Sequence, residues 1–139
     1  MTPPASLQLV RLLQLASPAL PVGAYTYSQG LEWAVESGLI RDEASAGRWI
    51  ADLLGHGIGR YEAPLVAALM EAWAAARHSE IRRLNGEFLA SRESLELRAE
   101  TVQMGFSLRR LIRDLRDERL AGVAEQIETL PEVAFPVAW

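Results

Sequence analysis

Apolar residues recur at intervals of three and four along most of the chain, the spacing that places side chains on one face of an α-helix. Strand-like alternation bounded by turn residues is not convincing anywhere. The pattern predicts an all-α fold, a compact bundle of about six to seven helices in a single domain spanning residues 1–139. The expected apolar stripes are Leu9, Leu12, Leu13 and Ala16; Leu31, Ala34 and Val35; Ala46, Trp49, Ile50 and Leu53; Val66, Leu69, Met70 and Trp73; Ile81, Leu84, Asn85 and Phe88; and Leu120, Val123, Ala124 and Ile127.

Residues with strong conformational preferences predict where these helices begin and end. Asp42 suits an N-cap, Pro64 suits the first turn of a helix, and Gly38 suits a left-handed cap at a helix end. The glycines of residues 55–59 each weaken helical propensity by about 1 kcal/mol relative to alanine, so we expect a kink or a helix end there. We expect a further break at residues 77–79, with His78 closing the preceding helix.

The longest predicted helix runs from Leu95 to Asp117. Its apolar residues fall into two nearly opposite sectors at about 100° per residue, so we expect its first half to be central. One sector holds Leu97, Met104, Leu108, Leu111 and Leu115, and the other holds Leu95, Ala99, Val102 and Phe106. The later half turns Arg109, Arg110, Arg113 and Arg116 away from the leucines, toward solvent or a partner.

The end of the chain, residues 134–139, is apolar and has no polar closing turn. We therefore expect that the natural domain continues and that the C-terminal portion of the fold is missing. On this interpretation, residues 133–139 expose apolar surface that promotes self-association.

Composition narrows the possible functions. The formal charge is −4, with acidic and basic residues interspersed, which argues against nucleic acid as a partner. No apolar run is long enough to cross a bilayer, and residues 1–6 show no secretory signal, so we expect a cytoplasmic protein without a membrane partner. The chain has no cysteine, which removes disulfides and sulfur-ligated metal sites.

Groups suited to catalysis are scarce. His56 and His78 stand in separate segments, and one histidine makes no metal site by itself, so we predict no catalytic, metal-ligating or cofactor-binding residue. Ser28 lies four residues before Glu32, but a helix cap explains it better than a nucleophile. Core packing explains the aromatic residues at Trp33, Trp49, Trp73, Phe88 and Phe106 better than nucleotide stacking does.

Residues 17–28, SPALPVGAYTYS, contain two prolines and a glycine and therefore form a loop. Tyr25 and Tyr27 alternate within it, where large amphipathic rings suit an interface, although packing over the loop's own helix is equally plausible.

The stretch from Leu13 to Glu32, LQLASPALPVGAYTYSQGLE, closely resembles the amino-terminal signature of the UreF family of urease accessory proteins. Arg98-Ala99-Glu100-Thr101 followed by Gln103-Met104-Gly105 is similar to the long central helix of that family. The resemblance covers essentially the whole chain, although family members continue past residue 139. It marks as motif or partner-binding residues Pro21, Gly23, Tyr25, Tyr27, Ser28, Gln29, Gly30, Glu32, Arg98 and Glu100.

The resemblance implies a non-catalytic scaffold. UreF proteins form dimers, bind the accessory protein UreD/UreH, recruit the GTPase UreG to apo-urease and promote nickel insertion. Two other hypotheses stay open at this point: a small hydrolase or metal enzyme that uses Ser28, Glu32 and His56, and a helical regulator without any connection to urease.

Overall fold

The computed structural model describes residues 5–23, 28 and 30–139, apart from the side chains of Ala5 and Gln8. A π-helical segment, Leu53–Glu62, joins α3 to α4, and a 3-10 turn, Glu118–Leu120, precedes α7. The described residues contain no strand, so the predicted all-α fold with one long helix is confirmed. The α-helices are α1 (Ala5–Leu15), α2 (Leu31–Glu36), α3 (Glu43–Asp52), α4 (Ala63–Ala74), α5 (His78–Ala90), α6 (Leu95–Asp114), α7 (Ala121–Glu128) and α8 (Phe135–Ala138).

By their internal contacts the residues fall into two compact units. One unit comprises Tyr27–Ser91, which contains α2 to α5. The other comprises Met1–Thr26 and Arg92–Trp139, which contain α1 and α6 to α8. That the whole chain is a single domain stays a prediction.

The start of α3 is fixed by a reciprocal cap, as the sequence predicts for Asp42. The backbone N–H of Ser45 donates to Asp42 Oδ1 at 2.7 Å, and the N–H of Asp42 donates to Ser45 Oγ at 3.1 Å. These bonds satisfy two of the donors that a helix N-terminus leaves open. The predicted left-handed cap after α2 is confirmed as well, because Gly38 has φ 75°.

The helix does not end at the glycine run, so of the two expected outcomes, a kink or a helix end, the helix end is wrong. It continues from Glu43 to Ala74 by widening to the π form, in which each N–H reaches five residues back; the Ala63 N–H, for example, donates to Ile58 O. A Cβ at Gly59 would lie 2.9 Å from Leu54 O, a separation that real side chains essentially never show. Glycine thus permits the wider turn where alanine would crowd it.

Helices α4 and α5 pack together, but the break between them differs from the prediction. Ala76 has φ 49°, and the Arg77 N–H donates to Ala72 O at 2.8 Å, which ends α4. His78 is therefore the first residue of α5 and does not close the helix before it. The predicted α5 stripe of Ile81, Leu84, Asn85 and Phe88 is confirmed as buried.

The buried face of α4 is rotated from the predicted one. It consists of Leu65, Leu69 and Ala72, whereas Met70 is 65% exposed. Because α4 is apolar around nearly its whole circumference, periodicity alone does not choose the face that packs. Pro64 does occupy the first turn, as predicted.

Several predicted apolar stripes lie at the surface. Only Ala34 is buried in α2, and α3 buries no residue. Apolar side chains in these helices and in α1 are about two-fifths or more exposed: Leu9, Leu12, Leu13, Leu31, Val35, Ile50 and Leu53. The apolar residues have the predicted helical spacing, but little of the described part of the chain covers them.

Helix α6 buries one face, with Thr101, Met104, Gly105 and Leu108, and not two. On the opposite face Leu95 is 81% exposed and Phe106 is 48% exposed, so the second apolar face is not buried among the described residues. The expectation of an exposed apolar terminus is also wrong, because α8 packs against α6. Four of the last residues are buried: Val133, Ala134, Val137 and Ala138.

Candidate interaction surfaces

The loop after α1 is anchored by two buried side chains. Leu20 is 8% exposed and Val22 is 2% exposed, while Pro21 between them is at the surface. The Leu20 N–H donates to Ser17 O at 3.0 Å, which closes a turn. Gly23 follows with φ 80°, a left-handed conformation that glycine adopts without strain. The two buried side chains therefore anchor residues 17–23 to the interior.

The end of this loop leads directly into α2. Gly30 has φ 85° and stands at the N-cap, where an added Cβ would be 3.8 Å from the ring of Trp49. Ser28 O accepts from the Leu31 N–H at 3.0 Å, and Ser28 Oγ accepts from the Glu32 N–H at 3.5 Å. The N-cap is thus Gly30 and not Ser28, and the predicted cap role of Ser28 is reduced to this long hydrogen bond from the second residue of the helix. Three of the predicted motif residues, Tyr25, Tyr27 and Gln29, lie outside the described residues.

The second motif, on α6, receives the chain as it returns from α7. Arg98 pairs with Glu132 at 2.5 Å, and Thr101 Oγ1 accepts from the Phe135 N–H at 3.0 Å. About two helical turns further along, Arg109 Nη1 donates to Leu130 O at 3.3 Å. Residues 98, 101 and 109 share one face of the helix, so together they hold residues 130–135 along it.

Gly105 explains why this contact is so close. A Cβ built at Gly105 would fall 2.0 Å from Val133 O, far inside any possible contact. Only glycine lets the backbone of residues 133–134 lie directly on α6. The motif residues thus shape the chain's own packing; Glu100 has an interaction of its own as well. Partner binding by Arg98 and Glu100 stays a prediction.

A cation–π and ion-pair cluster lies beside this face. The Arg109 guanidinium stands 5.5 Å from the ring centre of Phe106, and Glu128 is 4.0 Å from Arg109 and 3.9 Å from Arg113. These groups are largely at the surface, where such contacts contribute roughly 1 kcal/mol or less. The cluster orients arginines along the second half of α6, which the sequence predicts to face solvent or a partner.

The residues of the alternative hydrolase hypothesis make local contacts. His56 is exposed in the π-helical segment, and its Nδ1 lies 3.2 Å from Asp52 O in the preceding turn. Ser28 and the backbone of Glu32 contact each other, as described above. In the part of the chain that the structure describes, no group of three or more histidine and carboxylate side chains is placed to hold a metal ion. Nor is any described helix long and apolar enough to cross a membrane.

The aromatic residues are less buried than the sequence predicts. Phe88 is 3% exposed and stacks on Tyr61 with ring centres 6.3 Å apart. Trp33, in contrast, is 62% exposed, so its assignment to the core is wrong. It lies on α2, where its indole is exposed close in sequence to the first motif.

Sequence reasoning did not include Thr101, Gly105 or Arg109 among the site residues. From sequence alone, a glycine inside a helix only lowers the helical propensity, because the segment that packs against it is not known. Gly105 lies one turn after Thr101 and two turns after Arg98 on the same helix face, and this spacing was the signal that could have identified it.

Comparison with known proteins gives these observations a family. The UreF family model matches residues 40–139. The chain is 78% identical over 133 residues to urease accessory protein UreF of Dechloromonas aromatica, covering 96% of this chain and 58% of that protein. It is 63% identical over 134 residues to the UreF of Azoarcus sp., covering 96% of this chain and 57% of the relative. The chain thus spans somewhat more than half the length of these relatives, and it belongs to the UreF family of urease accessory proteins.

Proposed function

We propose that this protein is a non-catalytic urease accessory protein, a cytoplasmic homodimer that assembles with UreD/UreH and the GTPase UreG on apo-urease and promotes nickel insertion. The observation that carries the proposal is the 78% identity to a urease accessory protein across 96% of the chain. At that identity we expect the two proteins to share the packed faces described here. The two units then form one UreF-like domain.

The packing of the chain supports a role as a scaffold. The hydrogen bonds and ion pairs of the second motif hold one segment of the chain on another, as at Thr101 and Arg98. Gly23 and Gly30 both have positive φ, and Leu20 and Val22, just before Gly23, are buried. Surface segments anchored in this way to a packed framework are suited to present a fixed surface to another protein.

We further propose that residues 21–32, together with Trp33, face a partner. Pro21, Glu32 and Trp33 are exposed, and Gly23 and Gly30 have positive φ. An exposed indole offers apolar contact area of the kind that contributes strongly to interfaces, and the adjacent carboxylate adds a charge that a partner can complement. Tyr25, Tyr27, Ser28 and Gln29 belong to the same segment of sequence and to the same proposed surface.

Co-purification tests both proposals. The tagged chain is expressed with UreD/UreH, UreG and apo-urease, in parallel with the longer Dechloromonas relative, and the captured partners are quantified. We expect both proteins to capture the assembly. Capture by the relative alone would place the binding surface outside this chain, and capture by neither would refute the adaptor role.

A pair of charge reversals on α2 tests the loop surface. Glu32 and Glu36 are both exposed glutamates on this short helix, but only Glu32 adjoins the loop. We expect Glu32→Arg to reduce capture about tenfold, the effect of losing one charged contact, and Glu36→Arg to leave it unchanged. Equal effects of the two reversals would show that the loop end has no special role.

A further inference from the structure

An open recess lies where α6 ends and the chain turns into α7, entirely within one of the two compact units. Its volume is about 280 Å³. Ile112, Leu120, Ala121 and Ala124 supply most of its apolar lining, and Arg113 and Arg116 supply guanidinium groups. This volume is just below the range of sites for small-molecule ligands, which favours one inserted side chain over a cofactor.

Two of the four charged residues that line the recess, Arg113 and Asp117, are already engaged in ion pairs. Two guanidinium nitrogens of Arg119 contact the Asp117 carboxylate, which also lies 3.8 Å from Arg11 of α1. Arg113 has Asp114 at 3.5 Å and Glu128 at 3.9 Å. For Arg116, no carboxylate of the described residues lies within ion-pair distance. One carboxylate besides Asp117, that of Glu118, also lines the recess.

Arg116 also holds an unfavourable backbone conformation. Its φ is 49°, in the left-handed region that ends α6, a position that glycine normally fills. Ala76 has the same φ at the end of α4, but it is not among the residues that line the recess. An arginine at such a position costs stability that glycine would not, and residues kept in strained conformations cluster at functional sites.

We propose that this recess is a docking site for an apolar side chain next to a carboxylate on a partner protein, with Arg116 recognising the carboxylate. The apolar lining takes the side chain, and the guanidinium of Arg116, which has no carboxylate partner among the described residues, takes the charge through a bidentate bond. The identification of the partner as a member of the urease maturation assembly rests on the proposed function. The recess itself does not.

A titration of the isotopically labelled chain tests the recess directly by nuclear magnetic resonance. The probes are 3-phenylpropionate, its neutral amide and 3-phenylpropylamine, which share one ring and differ in charge. We expect the carboxylate to shift the amide signals of Ile112, Leu120 and Ala124 and to bind about fivefold or more tightly than the amide, as one charge-assisted hydrogen bond implies. Tighter binding of the amine would assign recognition to Glu118 and overturn the proposal, as would the absence of localised shifts.

Two matched glycine variants separate function from folding. Arg116→Gly and Ala76→Gly both relieve a left-handed residue, so we expect each to raise the melting temperature by about 2 to 4 °C. Only Arg116→Gly should abolish the preference for the carboxylate probe and lower capture of the urease assembly, by about tenfold. Equal capture by the two variants would overturn the proposal.

The titration and the capture assay also distinguish the two claims. Probe binding with no capture by any variant would refute the adaptor role but not the recess as a binding site. Capture without probe binding would refute the recess as a binding site but not the adaptor role. If the longer Dechloromonas relative captures the assembly but its own chain already fills the recess and blocks the probe, the docking proposal is wrong.

Discussion

Gly105 is the position at which a single added methyl group should do the most damage. Its Cβ would stand 2.0 Å from Val133 O, whereas ordinary contacts begin near 3.4 Å, so the returning chain would have to move by more than an ångström. Overpacking of this kind costs about 1 to 3 kcal/mol. Such a shift also removes the Phe135 N–H to Thr101 Oγ1 bond, worth about 1 kcal/mol. We therefore expect Gly105→Ala to lower the free energy of unfolding by about 2 to 4 kcal/mol.

The same substitution in open space provides the control. Gly86 lies within α5, and a Cβ there would meet nothing within 4 Å. Gly86→Ala should therefore stabilise the chain by about 0.5 to 1 kcal/mol, the ordinary gain from replacing a helical glycine. Urea unfolding followed by circular dichroism measures both values. If Gly105→Ala also stabilises, the close approach of residues 133–134 to α6 is refuted.

Three further predictions concern local geometry and charge. Gly59→Ala should destabilise the chain by about 1 to 2 kcal/mol because its Cβ meets Leu54 O, whereas Gly57→Ala should stabilise it slightly, both in urea unfolding. Gly30→Val should lower stability by about 1 to 3 kcal/mol in the same assay, because valine resists a φ of 85°. The hydrogen bonds from Arg119 lower the pKa of Asp117 to about 2. The contribution of this carboxylate to stability is therefore complete above pH 4 and is lost as the pH falls toward 2. Between these pH values the unfolding midpoint of Asp117→Asn should change less than that of the wild type.

Each of these expectations has a contrary result. Equal stability changes in the Gly59 and Gly57 variants would argue against the π-helical register. A Gly30 variant with the wild-type melting temperature would contradict the left-handed φ. A steeper loss of stability on acidification in the Asp117 variant would mean that the carboxylate does not favour the folded state.

Local signals in the sequence predicted two of the helix ends correctly. Asp42 and Gly38 act through their own backbone geometry and nearest neighbours, so their roles as caps could be read without tertiary information. The same holds for the α5 stripe, where apolar residues occupy one face only. These features depend on a few adjacent residues.

Burial depends on what another segment supplies, and this limited the rest of the prediction. In α4 several faces are apolar, and its sequence does not show that Leu65 and Ala72, and not Met70, are covered by the rest of the fold. The apolar terminus was expected to be exposed because nothing in its sequence shows that Gly105, some thirty residues earlier, admits it. Of the candidate surfaces, the loop was identified by its resemblance to a family, whereas the recess at Arg116 depends on a backbone angle that the sequence does not reveal.

The nickel content of urease tests the central claim most directly. Urease is purified from a host strain that lacks the gene for this protein and from the same strain with the gene restored, and nickel per urease active site is determined by elemental analysis. The account predicts equal amounts of urease polypeptide in both strains, with nickel largely absent until the gene is restored. Fully loaded urease from the strain without the gene would contradict it.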